Sequence, residues 1–375
     1  MKPEPNKKSM PLQPDADYLG DDLVFVISQP RSGSTLLQRL LGGHSDIQTS
    51  AETWLMLHPI YGMRRRGIQA EYRADWAATG VEEFLEHYAD GRATYVSGLR
   101  SFAQTIYGRV LAANNKKFFL DKTPRYTMIV PELMELFPRA KYILLLRNPL
   151  AVLNSELQTY IGDDYWKLAN FSPDLLDAPR RLVEAREICG DQGISIQYET
   201  LVTEPEDSVR KICEHLQIDY QPDMLKYGNR PAPIGRMNDP SGIHQHSQPT
   251  AASLGKWKKL GRNSQHRSFA LSYLDSLDKE TLTSLGYDSD ELEQEIRTSP
   301  IENHVSPTYP WKLAMTLQQH HRFRDRVYST YCLAAQQRGR FQGGFAALGF
   351  IVNKLFGQVG RLFRAPENPG GTTRQ

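Results

Sequence analysis

The sequence predicts an α/β protein with a central, mostly parallel sheet flanked by helices, and a helical extension at its C-terminal end. Short apolar, β-branched runs recur at 23–27, 118–120, 142–146 and 194–198, the pattern of strands buried on both faces. Helical periodicity fills the stretches between them, and strands alternating with amphipathic helices give a parallel sheet covered on both sides. The first run passes through a Pro/Gly loop into Thr35–Leu41, where Leu36, Leu37, Leu40 and Leu41 share one helical face before Gly42 and Gly43 end it. Sheets of this kind bind ligands at the carboxyl ends of their strands.

At 375 residues the chain is long enough for one enlarged domain or a core with an appendage. Its 40% hydrophobic and 23% charged residues exclude extensive disorder. A net charge of +2 points to no partner, nucleic acid included, but residues 301–375 hold ten Lys/Arg against three Asp/Glu, so the basic excess is C-terminal. Residues 1–21 are polar and Pro-rich and read as a flexible leader, 22–300 as the main domain, and 301–375 as a basic helical extension. Cys189, Cys213 and Cys332 lie far apart with no CxxC pair, which suggests neither a disulfide framework nor a zinc site. Met1–Lys8 has no apolar stretch, and no segment reaches the ~18–20 apolar residues that span a bilayer. The expectation is a cytoplasmic protein.

Between the first two runs, 54–115 reads as helices, with Phe84, Leu85 and Tyr88 and then Val96, Leu99 and Phe102 in periodic positions. Residues 221–255 are rich in Pro, Gly, Asn and His and read as a long loop or lid. Near the C-terminal end, Phe345, Leu348, Val352, Leu355, Phe356, Val359, Leu362 and Phe363 form an apolar face with Lys354, Arg361 and Arg364 elsewhere. Such a helix suits peripheral contact with a membrane surface, or simple packing on the core.

The loop Gln29-Pro30-Arg31-Ser32-Gly33-Ser34-Thr35 joins a strand to a helix. In that setting the free N–H groups of the first helical turn and the helix dipole favour an anion. Gly33 allows close approach of the backbone, Arg31 adds a planar cationic fork, and Ser32, Ser34 and Thr35 add hydroxyl donors. No Lys follows Gly33, so the GxxxxGK[ST] loop of ATP and GTP sites is absent. With one glycine, an ordinary strand-to-helix turn capped by Ser competes with the anion site.

The stretch Phe25–Leu37, read with that loop, resembles the 5′-phosphosulfate loop of sulfotransferases that use PAPS (3′-phosphoadenosine 5′-phosphosulfate). Its PRSG[ST]T form is similar to the tyrosylprotein, carbohydrate and bacterial branch. The resemblance implies a P-loop nucleotide-binding-like sulfotransferase fold, with Arg31, Ser32, Gly33, Ser34 and Thr35 on the phosphosulfate. A second match follows in family order: Tyr142–Pro149 with Ser155 is similar to the 3′-phosphate motif, which implies that Arg147 and Ser155 hold that phosphate. Pro149 suits a first helical turn. Gln197–Val202 followed by Pro205 resembles the family's YExL stretch and implies that Tyr198 lies near the adenine; a core tyrosine is the competing reading. Ser253-Leu254-Gly255-Lys256-Trp257-Lys258-Lys259 resembles the late Gly/Ser-x-Trp segment, with Ser253, Lys256 and Trp257 closing over the nucleotide. A solvated basic turn competes for its lysines.

The resemblance implies transfer of a sulfuryl group from PAPS to a hydroxyl or amine acceptor, with release of PAP and no metal. Glu52, in Ser50-Ala51-Glu52-Thr53, resembles the general base of the tyrosylprotein branch, and a carboxylate ionised at neutral pH accepts a proton once positioned. Its competing role is a helix N-terminal carboxylate favoured by the dipole. Lys122 resembles a Lys-x-Pro element that stabilises the leaving oxygen alongside Arg31. His58, His244 and His246 are alternative bases. The acceptor, whether carbohydrate, peptide tyrosine, lipid or small molecule, leaves no signature in the sequence. A P-loop kinase or other ATP-binding enzyme, and a non-catalytic membrane or partner-binding protein of the same fold, are the competing functions.

Overall fold

The structure, a computed structural model, describes residues 18–230, 233–234, 247–306 and 308–316, with Gly344 and Leu348 as isolated positions. Two compact units divide the chain, one of Met1–Lys167 and Phe171–Trp311, the other of Leu168–Asn170 and Lys312–Gln375. The first unit holds the sheet. Its strands are β1 (Leu23–Ser28), β2 (Ile47–Thr49), β3 (Phe118–Lys122), β4 (Lys141–Leu146) and β5 (Gly193–Gln197). They lie in the order β2-β3-β1-β4-β5, every neighbouring pair parallel.

β1 is central and entirely buried, as its run of apolar residues requires. Successive side chains of a strand point to opposite faces. Leu23, Phe25 and Ile27 therefore enter a core with Tyr107, Leu133 and Leu182, whereas Val24 and Val26 enter one with Leu37, Leu40 and Ile212. Helices α4 (Arg92–Asn114), α5 (Val130–Leu136) and α7 (Ala178–Cys189) supply the first core; α1 (Ser34–Leu41), α8 (Tyr198–Thr203) and α9 (Pro205–Leu216) supply the second. Full burial of each aliphatic side chain contributes roughly 1.5–3 kcal/mol, so the two cores together hold the sheet in place.

β1 is where the strand order reverses direction. The chain leaves it for β2 and β3 on one side and returns for β4 and β5 on the other. The crevice of such a sheet opens at that switch point, beyond the carboxyl ends of the strands. The register fixes what lies there: Val26 is opposite Lys122 at the end of β3, and Ser28 is opposite Leu145 near the end of β4.

Several sequence expectations change in detail. β2 was not anticipated; it is only three residues long and only Ile47 is buried, so it carries no readable period. Tyr198 opens α8 rather than closing β5. In α3 (Ala74–Tyr88) Leu85 is buried as expected, but Phe84 and Tyr88 face solvent, at 61% and 81% exposure. Val96 and Leu99 of α4 pack on the core, while Phe102 is 39% exposed. The described part of 221–255 contains the 3-10 turns Pro222–Leu225, Tyr227–Asn229 and Ala251–Ser253. Cys189 and Cys213 are free, and burial pushes their thiols up to about 12 and about 11, which marks them as inert packing groups. Cys332 and the apolar face of 345–363, apart from Leu348, lie outside the described residues. Among the described residues no helix is long and apolar enough to cross a membrane.

Candidate active site

The loop after β1 turns sharply because two of its residues adopt the left-handed region, Arg31 at φ 65 and Gly33 at φ 88. Ser32 closes the turn, its backbone N–H and its hydroxyl both donating to the Gln29 carbonyl, at 3.2 and 2.7 Å. Gly33 is required twice over. Beyond its positive φ, a Cβ there would stand 2.3 Å from Cε2 and 2.4 Å from Cδ2 of Tyr198. The glycine that suggested close approach of a ligand thus also admits an aromatic ring. Ser34 and Thr35, both buried, form the first turn of α1, where backbone N–H groups have no helical acceptor and attract anions.

The two halves of the sequence motif meet at this loop. Arg31 Nε donates to Ser155 Oγ at 3.1 Å, and Arg147 Nη1 donates to the Arg31 carbonyl at 2.8 Å. Ser155 lies in α6 (Pro149–Glu156), which starts with Pro149 in its first turn and is capped by Asn148, whose side chain accepts from the N–H groups of Leu150 and Ala151. The Arg147 guanidinium lies 4.1 Å over the Tyr198 ring, and its Nε is buried without a hydrogen-bond partner. Burial lowers the affinity of Arg147 for its proton, opposed by Tyr198 and Glu199. A buried cation with an orphaned donor calls for an anion, so the residues present fit a phosphate-bearing ligand.

Glu52 follows β2 in a loop and does not occupy a helix N-terminus; the next helix, α2, begins at Leu57 (Leu57–Tyr61). Lys122 Nζ donates to Glu52 Oε1 at 2.9 Å, and Trp54 Nε1 donates to Oε2 at 3.2 Å. The Lys122 side chain is 1% exposed and that of Glu52 19%, so the cation is buried and the carboxylate is the partly open member of the pair. The loop is held from two sides. Gln38 of α1 donates to Thr49 Oγ1 and the Ser50 carbonyl, at 2.8 and 2.6 Å. Buried Asp121 accepts from Thr53, Tyr107, Tyr126 and Thr123 at 2.6, 2.7, 3.0 and 3.1 Å. Burial raises the Asp121 pKa, and those four hydrogen bonds oppose the rise.

Ser253 meets the site, its Oγ 2.8 Å from the Tyr198 hydroxyl. Tyr198 is itself buried among core residues, so its packing role and its position beside Arg147 coexist. Lys256 is exposed and Trp257 half-buried in the 3-10 segment Lys256–Arg262. Lys258 pairs with Glu295 at 2.9 Å, and Lys259 is exposed. His58 is exposed on α2; His244 and His246 lie outside the described residues.

A buried polar layer beneath the loop was not anticipated from the sequence. Gln29 Nε2 donates to the Asp174 carbonyl at 2.6 Å, and Arg125 donates to the Asp174 carboxylate at 2.7 Å. Glu156, the last residue of α6, is fully buried, and neither of its carboxylate oxygens has a hydrogen-bond partner. The π-turn Leu157–Ile161 follows it, placing the Tyr160 ring 5.6 Å from the Arg31 guanidinium. The available signal was an acidic residue closing a helix whose first five residues are apolar.

A parallel sheet flanked by helices, with a cationic, Gly-containing loop at its switch point, places the chain among α/β proteins of P-loop-like fold. The chain belongs to the sulfotransferase family, whose model matches residues 23–222. Nodulation protein NoeE of Sinorhizobium fredii is 40% identical over 138 residues, 37% of this chain and 32% of that protein. Protein-tyrosine sulfotransferase A of Caenorhabditis elegans is 26% identical over 212 residues, 54% of this chain and 52% of that one. The matched stretches thus span about a third and about half of those relatives. Among solved structures, a sulfotransferase domain from the curacin biosynthetic pathway aligns with a TM-score of 0.44 and 23% identity, covering 63% of this chain and 89% of that one.

Proposed function

We propose that the protein transfers a sulfuryl group from PAPS to a hydroxyl or amine acceptor and releases PAP. The observation that carries this reading is the junction of the two motifs, Arg31 to Ser155 and Arg147 to the Arg31 carbonyl, beside an orphaned Arg147 Nε. PAPS supplies the sulfuryl group: the S–O bond to the 5′-phosphate breaks as the acceptor oxygen or nitrogen bonds to sulfur. The N–H groups of Ser34 and Thr35 and the Arg31 guanidinium hold the phosphosulfate, while Arg147 and Ser155 hold the 3′-phosphate, with Tyr198, Ser253, Lys256 and Trp257 lining the nucleotide.

Glu52 takes the acceptor proton. Its two oxygens are fixed by Lys122 and Trp54, so the remaining lone pairs point along a set direction. Lys122 carries three N–H donors, only one of which Glu52 uses, and another stabilises the departing phosphate oxygen. Base and cation in contact couple the two charge movements of the reaction, since loss of negative charge on Glu52 frees Lys122 for the leaving group. Catalysis by positioning and fixed charge of this kind needs no further group on the acceptor.

A thermal-shift comparison of PAP, PAPS and ATP, followed by an acceptor screen that reads release of PAP, tests the proposal. Stabilisation by PAP and PAPS but not by ATP is expected; preferential stabilisation by ATP would overturn it.

A further inference from the structure

Glu156 adjoins Ser155 in sequence, yet it takes no part in the hydrogen bonding that links the two motifs. Four charged or titratable groups face it: Arg31 from the loop, Arg125 from the 3-10 turn Pro124–Met128, Asp174 from the π-turn Pro173–Asp177, and Tyr273 from α10 (Ser264–Ser276). Arg125 is bonded to Asp174, Arg31 to Ser155, and the Tyr273 hydroxyl donates to the Leu175 carbonyl at 3.0 Å. Neither oxygen of the Glu156 carboxyl receives a hydrogen bond. A fully buried carboxyl without donors favours its neutral form.

We infer that Glu156 is a positioning residue that senses charge at the anion site, admitting the nucleotide's phosphate groups beside Arg31 and Ser155 only while its own carboxyl is un-ionised. The inference rests on the sulfotransferase reading and goes beyond it. An ionised Glu156 would place a second negative charge in the same low-dielectric layer as the ligand and would draw the Arg31 guanidinium away from it. Neutral, the side chain does not compete with the anion for the Arg31 guanidinium.

Burial, then the Asp174 carboxylate, pushes the Glu156 pKa up to about 8, with Arg31 and Arg125 opposing. Asp174 is pushed up to about 6 by burial, opposed by Arg125, so it is already ionised where Glu156 titrates. Burial raises the Tyr273 phenol far above that range. Of the three carboxyl and phenol groups in this layer, Glu156 is the one pushed up to about 8. A bound anion favours the protonated form, so binding of PAP takes up a proton wherever free Glu156 is ionised.

Calorimetric titration of the full chain with PAP between about pH 6 and 9.5 tests this directly. For the wild type, the Glu156 contribution leaves affinity level up to about pH 8, above which affinity falls by roughly tenfold per pH unit. The Glu156→Gln variant is expected to lack that alkaline fall. Wild-type titrations at about pH 8.5 in buffers of different ionisation heat should show net proton uptake, a readout that needs no variant and decides the matter if Glu156→Gln does not fold. An identical alkaline loss in both proteins, or binding without proton uptake, would overturn the inference and leave the sulfotransferase reading intact. A wild type that fails to bind PAP at neutral pH would overturn both.

Discussion

Two glutamates border the same crevice and are built in opposite ways. Glu52 stands in a loop at the end of β2, partly open, each oxygen engaged by a donor, with a buried lysine beneath it. Glu156 stands at the end of α6, fully buried, with no donor on either oxygen. A partly open carboxyl oriented by donors can meet an acceptor's proton; one stripped of water and donors favours its neutral form. Proximity to the site therefore does not assign a role. The partners do.

The largest expected effect breaks the Glu52 side of this contrast. Glu52→Gln keeps an oxygen for Lys122 to bond but cannot accept a proton. PAP affinity should be retained while turnover falls by roughly 10²–10⁴-fold, measured as PAP release with any working acceptor; full turnover would move the base elsewhere, with His58 next. Removing the partner instead is a stability test. In Lys122→Met the partly buried Glu52 loses its cation, and such losses cost about 3–5 kcal/mol when the pair is buried, less here because Glu52 is 19% exposed. Denaturant unfolding should report a drop larger than for any exposed ion pair of the molecule, such as Lys279 with Asp290.

On the Glu156 side the sign reverses. Its folded pKa lies near 8, above the ordinary carboxylate range, so folding takes up a proton in between and the wild type loses stability as pH rises from about 4.5 to 8. Glu156→Gln has no proton to lose. It should be more stable than the wild type by an amount that grows to a few kcal/mol across that window and is small at about pH 4.5; a variant uniformly less stable at every pH would show that the carboxyl has a donor after all. The smallest expected effect is Ser155→Ala, which removes the hydroxyl that accepts from Arg31 and should weaken PAP by about tenfold, the worth of one charge-assisted hydrogen bond.

The same contrast explains what was legible in the sequence. Arg31, Gly33 and Arg147 sit where apolar strands end, but a strand-end arginine or a single glycine is weak alone; it was the resemblance of two motifs in family order that singled them out. Lys122 and Glu52 were singled out one by one, from the resemblance of their own short stretches, but their contact was not legible. It depends on β2, whose three residues carry no period, and on the Asp121 hub that draws Thr53 inward. Glu156 was passed over because its character is relational: what marks it is that neither oxygen receives a hydrogen bond, while Arg125 bonds to Asp174 instead. Gly33 was read as a point where the backbone comes close to a ligand; the group that comes close to it in the structure is the Tyr198 ring.

That the loop after β1 and the strand end after β4 form one anion site is tested most directly by a double-mutant cycle on PAP binding. Calorimetry would compare the wild type, Arg31→Ala, Arg147→Ala and the double variant. Either single change should abolish measurable binding, or weaken it about 30-fold or more with the double variant losing less than the combined effect, because the two side chains share one ligand and one hydrogen-bonded junction. Undiminished PAP affinity in both single variants would contradict the assignment.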